Sequence, residues 1–229
     1  RLLLAAIEEQ FGTAPQDLGD TQKRIWLLGS VSLEVDGLSS TVLAAYLPET
    51  DHPVLNTMAQ SDMGWPLPLH SVRSLQIRKQ LTEKVYVLEN PQAFEYLTHG
   101  LSQLARNRRP ILLCTGGFLS AAAVLLLDRL HEAGCTICYG GDFDCNGLAI
   151  ARGLYDRYKR LLFWRMSNSD YELAICDSLH KGFTEDDIAW LNNVSGELEI
   201  TARAMISLGK PAYQERLVNW LMKDVLEEY

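Results

Sequence analysis

The sequence has no apolar run long enough to cross a membrane, and it has little positive charge. Its longest apolar stretch, residues 118–127, ends at Asp128, whereas a membrane-spanning helix needs roughly 20 such residues. The 21 Lys and Arg are outnumbered by 29 Asp and Glu, which gives a net charge of −8. We therefore expect no membrane partner and no general coating of nucleic acid. A local basic groove remains open, and the candidates for it are Arg106, Arg108, Arg109, Arg157, Lys159 and Arg160.

Nucleotide-binding and zinc-binding motifs are also missing. There is no GxxxxGK[ST] sequence, which excludes a P-loop ATPase, and no GxGxxG follows the first predicted strand, which removes the usual dinucleotide site. The only CxxC pair, Cys135 and Cys138, has no second pair and no HxxxH to complete a zinc site. The five cysteines are an odd number, and Cys114, Cys138 and Cys176 lie in apolar surroundings. We expect reduced, buried thiols and a cytoplasmic location.

The first 79 residues differ in pattern from the rest of the chain. They combine a predicted helix at residues 2–10, a short apolar run at 25–28 and a second predicted helix at 38–47, separated by turn-rich stretches. We interpret residues 1–79 as an N-terminal α+β partial domain, either winged-helix-like or an interface. Because the chain starts at Arg1 with an apparent helix, we also expect it to be part of a longer protein.

From residue 83 onward, short β-rich apolar runs alternate with helical patterns. This alternation is typical of a parallel sheet covered by helices on both faces. Residues 184–229 have the pattern of two or three helices, with Thr184 as the predicted N-cap of the first. For residues 83–229 we therefore predict an α/β fold: a parallel sheet flanked by helices, with a C-terminal helical extension. The predicted strands are residues 85–88, 111–114, 136–139 and 161–166.

Acidic residues follow two of these strands. Glu89 comes after the first strand, and Asp142 and Asp144 come after the third, within the sequence GGDFDCNG. The carboxyl ends of parallel strands share one edge of the sheet, where ligands bind. Carboxylates that converge there repel one another unless a cation neutralises them, and oxygen ligands without histidine select Mg²⁺ or Mn²⁺.

Several of these residues also have ordinary structural interpretations. Asp144 can simply cap the helix that follows it, as can Ser120 after the glycine pair Gly116-Gly117. Ser120 is equally the expected residue at a helix start that faces a phosphate. Arg165, after the fourth strand, can contact a phosphate or form an ion pair with Asp170.

The strand-end motifs resemble the Toprim domain, the metal-binding module shared by topoisomerases, bacterial primases and several nucleases. The closest likeness is to a C-terminal Toprim domain of bacterial proteins related to JetD, the nuclease subunit of the Wadjet anti-plasmid system, and to the topoisomerase VI A subunit. The resemblance covers residues 83–229 well and residues 1–79 only loosely. The motifs are VYVLENP at 85–91, TGG at 115–117, GDFDCNG at 141–147, WRM at 164–166, DY at 170–171 and YQE at 213–215.

The resemblance implies roles for individual residues. Glu89 would be a general acid/base or a metal ligand, and Asp142 and Asp144 would hold Mg²⁺ against a scissile phosphate. Glu215 is a further candidate for the metal, although a solvated helix residue is an equally good interpretation of it. The residues expected to contact phosphate are Gly116, Gly117, Ser120 and Arg165.

We therefore expect a Mg²⁺- or Mn²⁺-dependent DNA endonuclease subunit of an anti-plasmid or anti-phage defence system. Its expected partners are DNA and a protein that loads it onto DNA. Symmetric cutting of both strands requires two active sites and hence a homodimer.

Three alternatives stay open at this point. The chain can be a non-catalytic DNA-binding or assembly module that retains the metal site. It can be a topoisomerase VI A-like subunit, whose nucleophile would lie upstream because Tyr46 is the only tyrosine in residues 1–79. A phosphoacceptor receiver domain is disfavoured, since it needs paired acids after the first strand and a lysine after the last, where this chain has Glu89 and Arg165.

Overall fold

The structure, a computed structural model, describes residues 2–12, 23, 27, 37–48, 50, 53–77, 83–175 and 182–229. Its strands are β1 (Thr41–Ala45), β2 (Trp65–Pro68), β3 (Lys84–Leu88), β4 (Ile111–Cys114), β5 (Thr136–Gly140) and β6 (Leu161–Phe163). Its helices are α1 (Leu2–Phe11), α2 (Pro53–Ala59), α3 (Leu69–Ser74), α4 (Pro91–Leu101), α5 (Ala121–Glu132), α6 (Cys145–Arg157), α7 (Asn168–Ala174), α8 (Glu185–Leu191), α9 (Glu199–Leu208) and α10 (Val218–Glu228).

The strands of the described residues form one mixed sheet in the order β2-β1-β4-β3-β5-β6. The last four strands of this order are parallel, whereas β1 pairs antiparallel with both of its neighbours. The α/β class and the predominantly parallel sheet are therefore confirmed. The predicted C-terminal helices are also present, and Thr184 caps the first of them.

The connections around β3 create a crevice at the carboxyl edge of the sheet. From β3 the chain crosses through α4 to β4 on one side, and then through α5 to β5 on the other side of β3. From β5 the chain continues through α6 to β6, farther in that second direction. Right-handed crossovers in opposite directions place α4 and α6 on opposite faces, so that the chain leaves β3 and β5 towards opposite sides. The gap between β3 and β5 is thus the switch point at which open α/β sheets bind their ligands.

Continuous apolar sequence explains the central strands. All residues of β4, and all of β3 after Lys84, are buried, as expected for strands covered on both faces. The helices that follow the strands begin with capping side chains: Asn90 caps α4, Ser120 caps α5 and Asp144 caps α6. Each cap accepts a backbone N–H of the first helical turn, so that strand end, turn and helix start are held together.

The prediction of a helix at residues 38–47 is wrong. Residues 41–45 form β1, which is hydrogen-bonded on both sides to β2 and β4. A short apolar run buried on both faces looks the same in sequence whether it is a strand or a helix segment. Tyr46 then turns the chain with a φ of 58°, and its hydroxyl donates a hydrogen bond to the carbonyl oxygen of Thr98 at 2.6 Å.

Strands β1 and β2 belong to residues 1–79, yet they complete the same sheet as the strands after residue 83. Helix α3 packs on α5, where Arg129 donates hydrogen bonds to the carbonyl oxygens of Val72, Arg73 and Leu75. The proposed boundary between residues 79 and 83 stays a prediction, but sheet and core run across it.

The helix predicted at residues 2–10 is confirmed as α1. The apolar run at 25–28 lies outside the described residues apart from Leu27.

Two expectations from composition can also be compared with the fold. Within the described ranges, no helix is long and apolar enough to span a bilayer. The four cysteines that the structure describes, Cys114, Cys135, Cys138 and Cys145, are free thiols, and the first three are buried. Cys176 lies outside the described residues.

Candidate metal centre

Glu89 connects the carboxyl ends of β3 and β5. Its side chain is almost fully buried, and Oε2 accepts hydrogen bonds from the backbone N–H of Asp142 at 3.0 Å and from the hydroxyl of Tyr139 at 3.3 Å. A Cβ atom on Gly141 would lie 2.7 Å from the same carboxylate oxygen. The glycine of the GDFD motif is therefore needed for the close approach of Glu89 to the β5 turn.

Asp142 and Asp144 occupy the turn between β5 and α6. Asp142 Oδ1 accepts the backbone N–H of Gln214 at 2.8 Å, and Asp144 Oδ1 accepts the backbone N–H of Gly147 at 2.7 Å. The capping interpretation of Asp144 is thus confirmed, although its second oxygen is not used by the cap. A Cβ atom on Gly147 would overlap the carbonyl oxygen of Asp142, which explains the glycine five residues after Asp142.

A segment far along the chain completes the site. Residues 212–215, which we call the closing segment, lie between α9 and α10 and run beside the Asp142 turn. Ala212 and Phe143 form an isolated antiparallel bridge, with backbone hydrogen bonds of 2.8 and 3.2 Å. Gln214 Oε1 accepts the backbone N–H of Asn90 at 3.1 Å. Glu215 Oε1 accepts a hydrogen bond from the Asn90 side-chain amide at 2.5 Å.

The structure therefore brings Glu215 to the same edge as Glu89 and the aspartates. Gln214, to which sequence alone gave no role, is the residue that holds the closing segment to both strand ends, and it is 1% exposed. The sequence gives little indication of this role of Gln214, because Gly209 and Pro211 indicate a loop but not its position in the fold.

Burial and mutual repulsion disturb the titration of these carboxyl groups. Burial raises the pKa of Asp142 to about 7, and the charges of Glu89, Glu215 and Asp144 act in the same direction. Burial also raises the pKa of Glu89, and the charges of Asp144 and Glu215 add to this effect, whereas the hydrogen bonds from Asp142 and Tyr139 oppose it. The pKa of Tyr139 lies well above its ordinary value because of burial and the neighbouring Glu89. The fold thus concentrates negative charge at this edge.

Within the part of the chain that the structure describes, no cation of the protein is paired with these groups. None of the ion pairs among the described residues includes Glu89, Asp142, Asp144 or Glu215. Glu215 Oε2 is buried and has no hydrogen-bond partner, which is costly for a carboxylate unless a ligand satisfies it.

The donor set can be tested against a divalent cation. Four carboxylates without histidine or cysteine fit a hard ion such as Mg²⁺ or Mn²⁺ in charge and in donor type. In the present side-chain positions, no three His, Cys, Asp or Glu of the described part of the chain are grouped as ligands of one ion. One oxygen of Asp142 and one oxygen of Asp144 accept a hydrogen bond from a backbone N–H group instead.

The predicted phosphate-contacting turn follows β4. Gly116 and Gly117 have φ values of 65° and 100°, and a Cβ atom on either would meet nothing within 4 Å. Glycine is therefore favoured at both positions because the backbone has a positive φ, and not because a side chain would meet neighbouring atoms. Ser120 Oγ accepts the N–H of Ala123 at 3.0 Å and donates to the carbonyl oxygen of Thr41 at 2.7 Å. Its capping role is confirmed, while contact of this turn with phosphate stays a prediction.

Arg165 forms the ion pair that the sequence offered as one alternative. Its guanidinium contacts Asp170 at 3.2 Å and also binds both carboxylate oxygens of Asp224 on α10. These hydrogen bonds raise its pKa further above the ordinary value, against the opposing effect of burial. The residue holds α10 and α7 to the end of β6, and a contact with phosphate stays a prediction.

The two arginine clusters do not form a groove at this edge. Arg106 and Arg108 precede β4, and Arg157 and Arg160 precede β6. Because these strands are parallel, both clusters lie at the amino ends, opposite the carboxylates. Arg157 also pairs with Asp128 at 2.6 Å. Their spacing in sequence identified them as a surface feature but not which end of the sheet they occupy.

Comparison with known proteins gives a single family assignment. A family model described as "Protein of unknown function C-terminus (DUF2399)" matches residues 65–225. The match covers more than two thirds of the chain and includes the carboxylates at both strand ends and the closing segment. A search of curated proteins finds no match.

Proposed function

The chain belongs to the DUF2399 C-terminal family, and within that family we propose that it is a Mg²⁺- or Mn²⁺-dependent DNA endonuclease with a Toprim-like site. One observation carries the proposal. Three separate segments bring Glu89, Asp142, Asp144 and Glu215 to one edge of a parallel sheet, where Glu215 keeps a buried oxygen without a partner. A protein that assembles repelling carboxylates without pairing them is prepared for a cation.

The residues divide into two groups by their contacts. Asp142, Asp144 and Glu215 each have one carboxylate oxygen engaged by a neighbouring N–H group and one left for a ligand. These three would hold the ion, with Gln214 fixing Asp142 against the closing segment. When bound, the ion supplies Lewis-acid polarisation of a phosphoryl oxygen.

Glu89 is the residue best suited to proton transfer. Its Oε2 is fixed by Asp142 N–H and by Tyr139, so that the carboxyl group has one defined orientation. Its raised pKa suits a group that must gain and lose a proton during turnover. In this role it would donate a proton to the 3′ oxygen as the bond between that oxygen and phosphorus breaks, while a water molecule attacks the phosphorus and a 5′ phosphate is left.

Partners follow from the same chemistry. A single carboxylate cluster cuts one strand, so that cutting both strands requires a homodimer or two successive events. The acidic chain favours a DNA-loading partner, and the resemblance to a Wadjet nuclease subunit suggests an anti-plasmid or anti-phage setting.

A non-catalytic DNA-binding or assembly module is the second candidate. It is favoured by the absence, among the described residues, of three side chains already grouped as ligands of one ion. In that case the closing segment and the carboxylates would serve only to bind an ion that stiffens the edge.

The proposal is tested by incubating supercoiled plasmid with the chain in Mg²⁺ or Mn²⁺. The variants are Glu89→Gln and Asp142→Asn, which keep the shape of each side chain. The matched control is Asp156→Asn, an exposed carboxylate on α6 that makes no contact with the site. We expect nicking or linearisation by the unaltered chain and the control, and a loss of roughly 100-fold or more in both site variants.

Two outcomes contradict the proposal. Cleavage that survives both substitutions would assign the activity to a contaminant. Binding of Mn²⁺, measured by calorimetry, without any cleavage would establish the second candidate instead.

A further inference from the structure

Phe118 stands out among the residues at the carboxyl edge because its ring is 70% exposed. It lies in the turn between β4 and α5, and both ends of that turn are fixed. Thr115 N–H donates to the carbonyl oxygen of Leu88 at 2.9 Å, and Ser120 Oγ donates to that of Thr41 at 2.7 Å. A single exposed apolar residue is common, so that its meaning depends on what lies next to it.

The turn of Phe118 lies directly beside the carboxylate cluster. Cys114, the last residue of β4, pairs with Leu88 of β3, and its thiol is 3.5 Å from the carbonyl oxygen of Glu89. Neighbouring strands are about 4.8 Å apart. At the carboxyl edge, the turn after β4 that contains Phe118 is therefore next to the residues that follow β3, beginning with Glu89. Asp142 and Asp144 follow β5, on the other side of β3.

The carboxylates at this edge repel the phosphates of a nucleic acid. Nucleic-acid affinity usually comes from Lys and Arg contacts to phosphate, whereas the two arginine clusters lie at the opposite end of the sheet. Arg165 is already paired with Asp170 and Asp224. Stacking of a base on an aromatic ring needs no positive charge, so that Phe118 can supply affinity where the electrostatics do not.

On the basis of the proposed function, we propose that Phe118 stacks on an unpaired base next to the phosphate that reaches the carboxylates. The bases inside an intact duplex are already stacked, so that a side chain inserted between them must first unstack a base step. The face of an unpaired or turned-out base is accessible without that cost. The substrate class is therefore DNA with unpaired bases at the cleavage point: single strands, flaps or bubbles.

The test uses a single-stranded oligonucleotide of about 15 nucleotides that contains one 2-aminopurine, whose fluorescence falls when the base is stacked. The same strand in a duplex is the comparison, and Ca²⁺ replaces Mg²⁺ to limit turnover. The variants are Phe118→Ala and Phe118→Trp, with Ile200→Ala as the matched control, since Ile200 is also 70% exposed but lies on α9.

We expect the unaltered chain to bind the single strand more tightly than the duplex. Phe118→Ala should weaken single-strand binding roughly 10-fold or more and abolish the quenching. Phe118→Trp should preserve both, and Ile200→Ala should change neither.

Two results would overturn the proposal. In the first, Phe118→Ala binds the single strand as tightly as the unaltered chain does. In the second, the unaltered chain has equal affinity for the single strand and the duplex. The plasmid assay separates this failure from that of the nuclease. If cleavage depends on Asp142 but DNA binding does not depend on Phe118, the nuclease proposal is supported and the stacking proposal is wrong. If stacking depends on Phe118 but no cleavage occurs, the stacking proposal is supported and the nuclease proposal is wrong.

Discussion

At the amino ends of the parallel strands, Arg157 binds both carboxylate oxygens of Asp128, to which Tyr158 also donates a hydrogen bond. At the carboxyl ends, by contrast, Glu89 and Asp142 lie near other carboxylates, and no ion pair among the described residues includes either of them. Both groups are partly or largely buried. Because burial makes an unpaired charge costly, the paired end has the arrangement expected of structure alone. The unpaired end gives up stability that a bound cation would restore, and this difference is the reason for placing the candidate site there.

The largest expected effect on stability, and the strongest test of the comparison between the two ends of the sheet, concerns two glycines of α6. Gly147→Ala at the carboxyl edge would drive a Cβ atom into the backbone of Asp142, which cannot move without displacing the cluster. Gly153→Ala, on the same helix, meets nothing within 4 Å. We expect the first change to lower the free energy of unfolding by about 3 kcal/mol. The second should raise it by about 0.4–1 kcal/mol. Urea unfolding of both variants measures the contrast, and equal effects would show that the Asp142 turn is not rigid.

Neutralising one carboxylate at each end should change stability in opposite directions. Asp128→Asn removes a paired charge and should cost about 1–3 kcal/mol. Asp142→Asn removes a repelling charge, and in EDTA it should stabilise the protein by about 1 kcal/mol. Thermal unfolding with and without Mn²⁺ provides the second measurement: the metal should raise the melting temperature of the unaltered chain but not that of Asp142→Asn. Destabilisation by both substitutions in EDTA would remove the distinction between the two ends.

The smallest expected effect concerns Asp224, which forms an ion pair with Arg165 after β6. Burial opposes ionisation of Asp224, but hydrogen bonds from Arg165 and Trp164 outweigh it and lower the pKa of Asp224. A lowered folded-state pKa contributes stability above the unfolded value of about 3.9, and this contribution disappears as the pH falls through the folded-state pKa. Asp224→Asn should therefore cost about 1 kcal/mol at pH 7 and progressively less below pH 4. A cost that does not change between pH 7 and pH 3 would show that the carboxylate charge has no structural role.

Local sequence was sufficient to predict the parallel strands of the core, but not the antiparallel strand that pairs with them. Residues 85–88 and 111–114 are continuous apolar runs between turn signals, so that their burial and direction followed from pattern alone. Residues 41–45 carry the same kind of run, and they become a strand by pairing with β2 and with β4, the latter about 70 residues later. Propensity contains no information about such long-range pairing.

The candidate site likewise contains residues that could be predicted from the sequence and one residue that could not. Glu89, Asp142 and Asp144 follow predicted strands, so that their meeting could be inferred from topology. Gln214 could not, because its contacts with Asp142 and Asn90 cross 72 and 124 residues of sequence.

The bridge between Phe143 and Ala212 also fixes when the cluster can exist during synthesis. A chain made from its amino terminus has β3, β5 and the Asp142 turn outside the ribosome while the closing segment is still being translated. Until residue 215 emerges, Asp142 lacks the N–H of Gln214 and Glu215 is absent. A cell that makes this protein is therefore exposed to a completed carboxylate cluster only once nearly the whole described chain has been produced, and a truncated product carries an unfinished one.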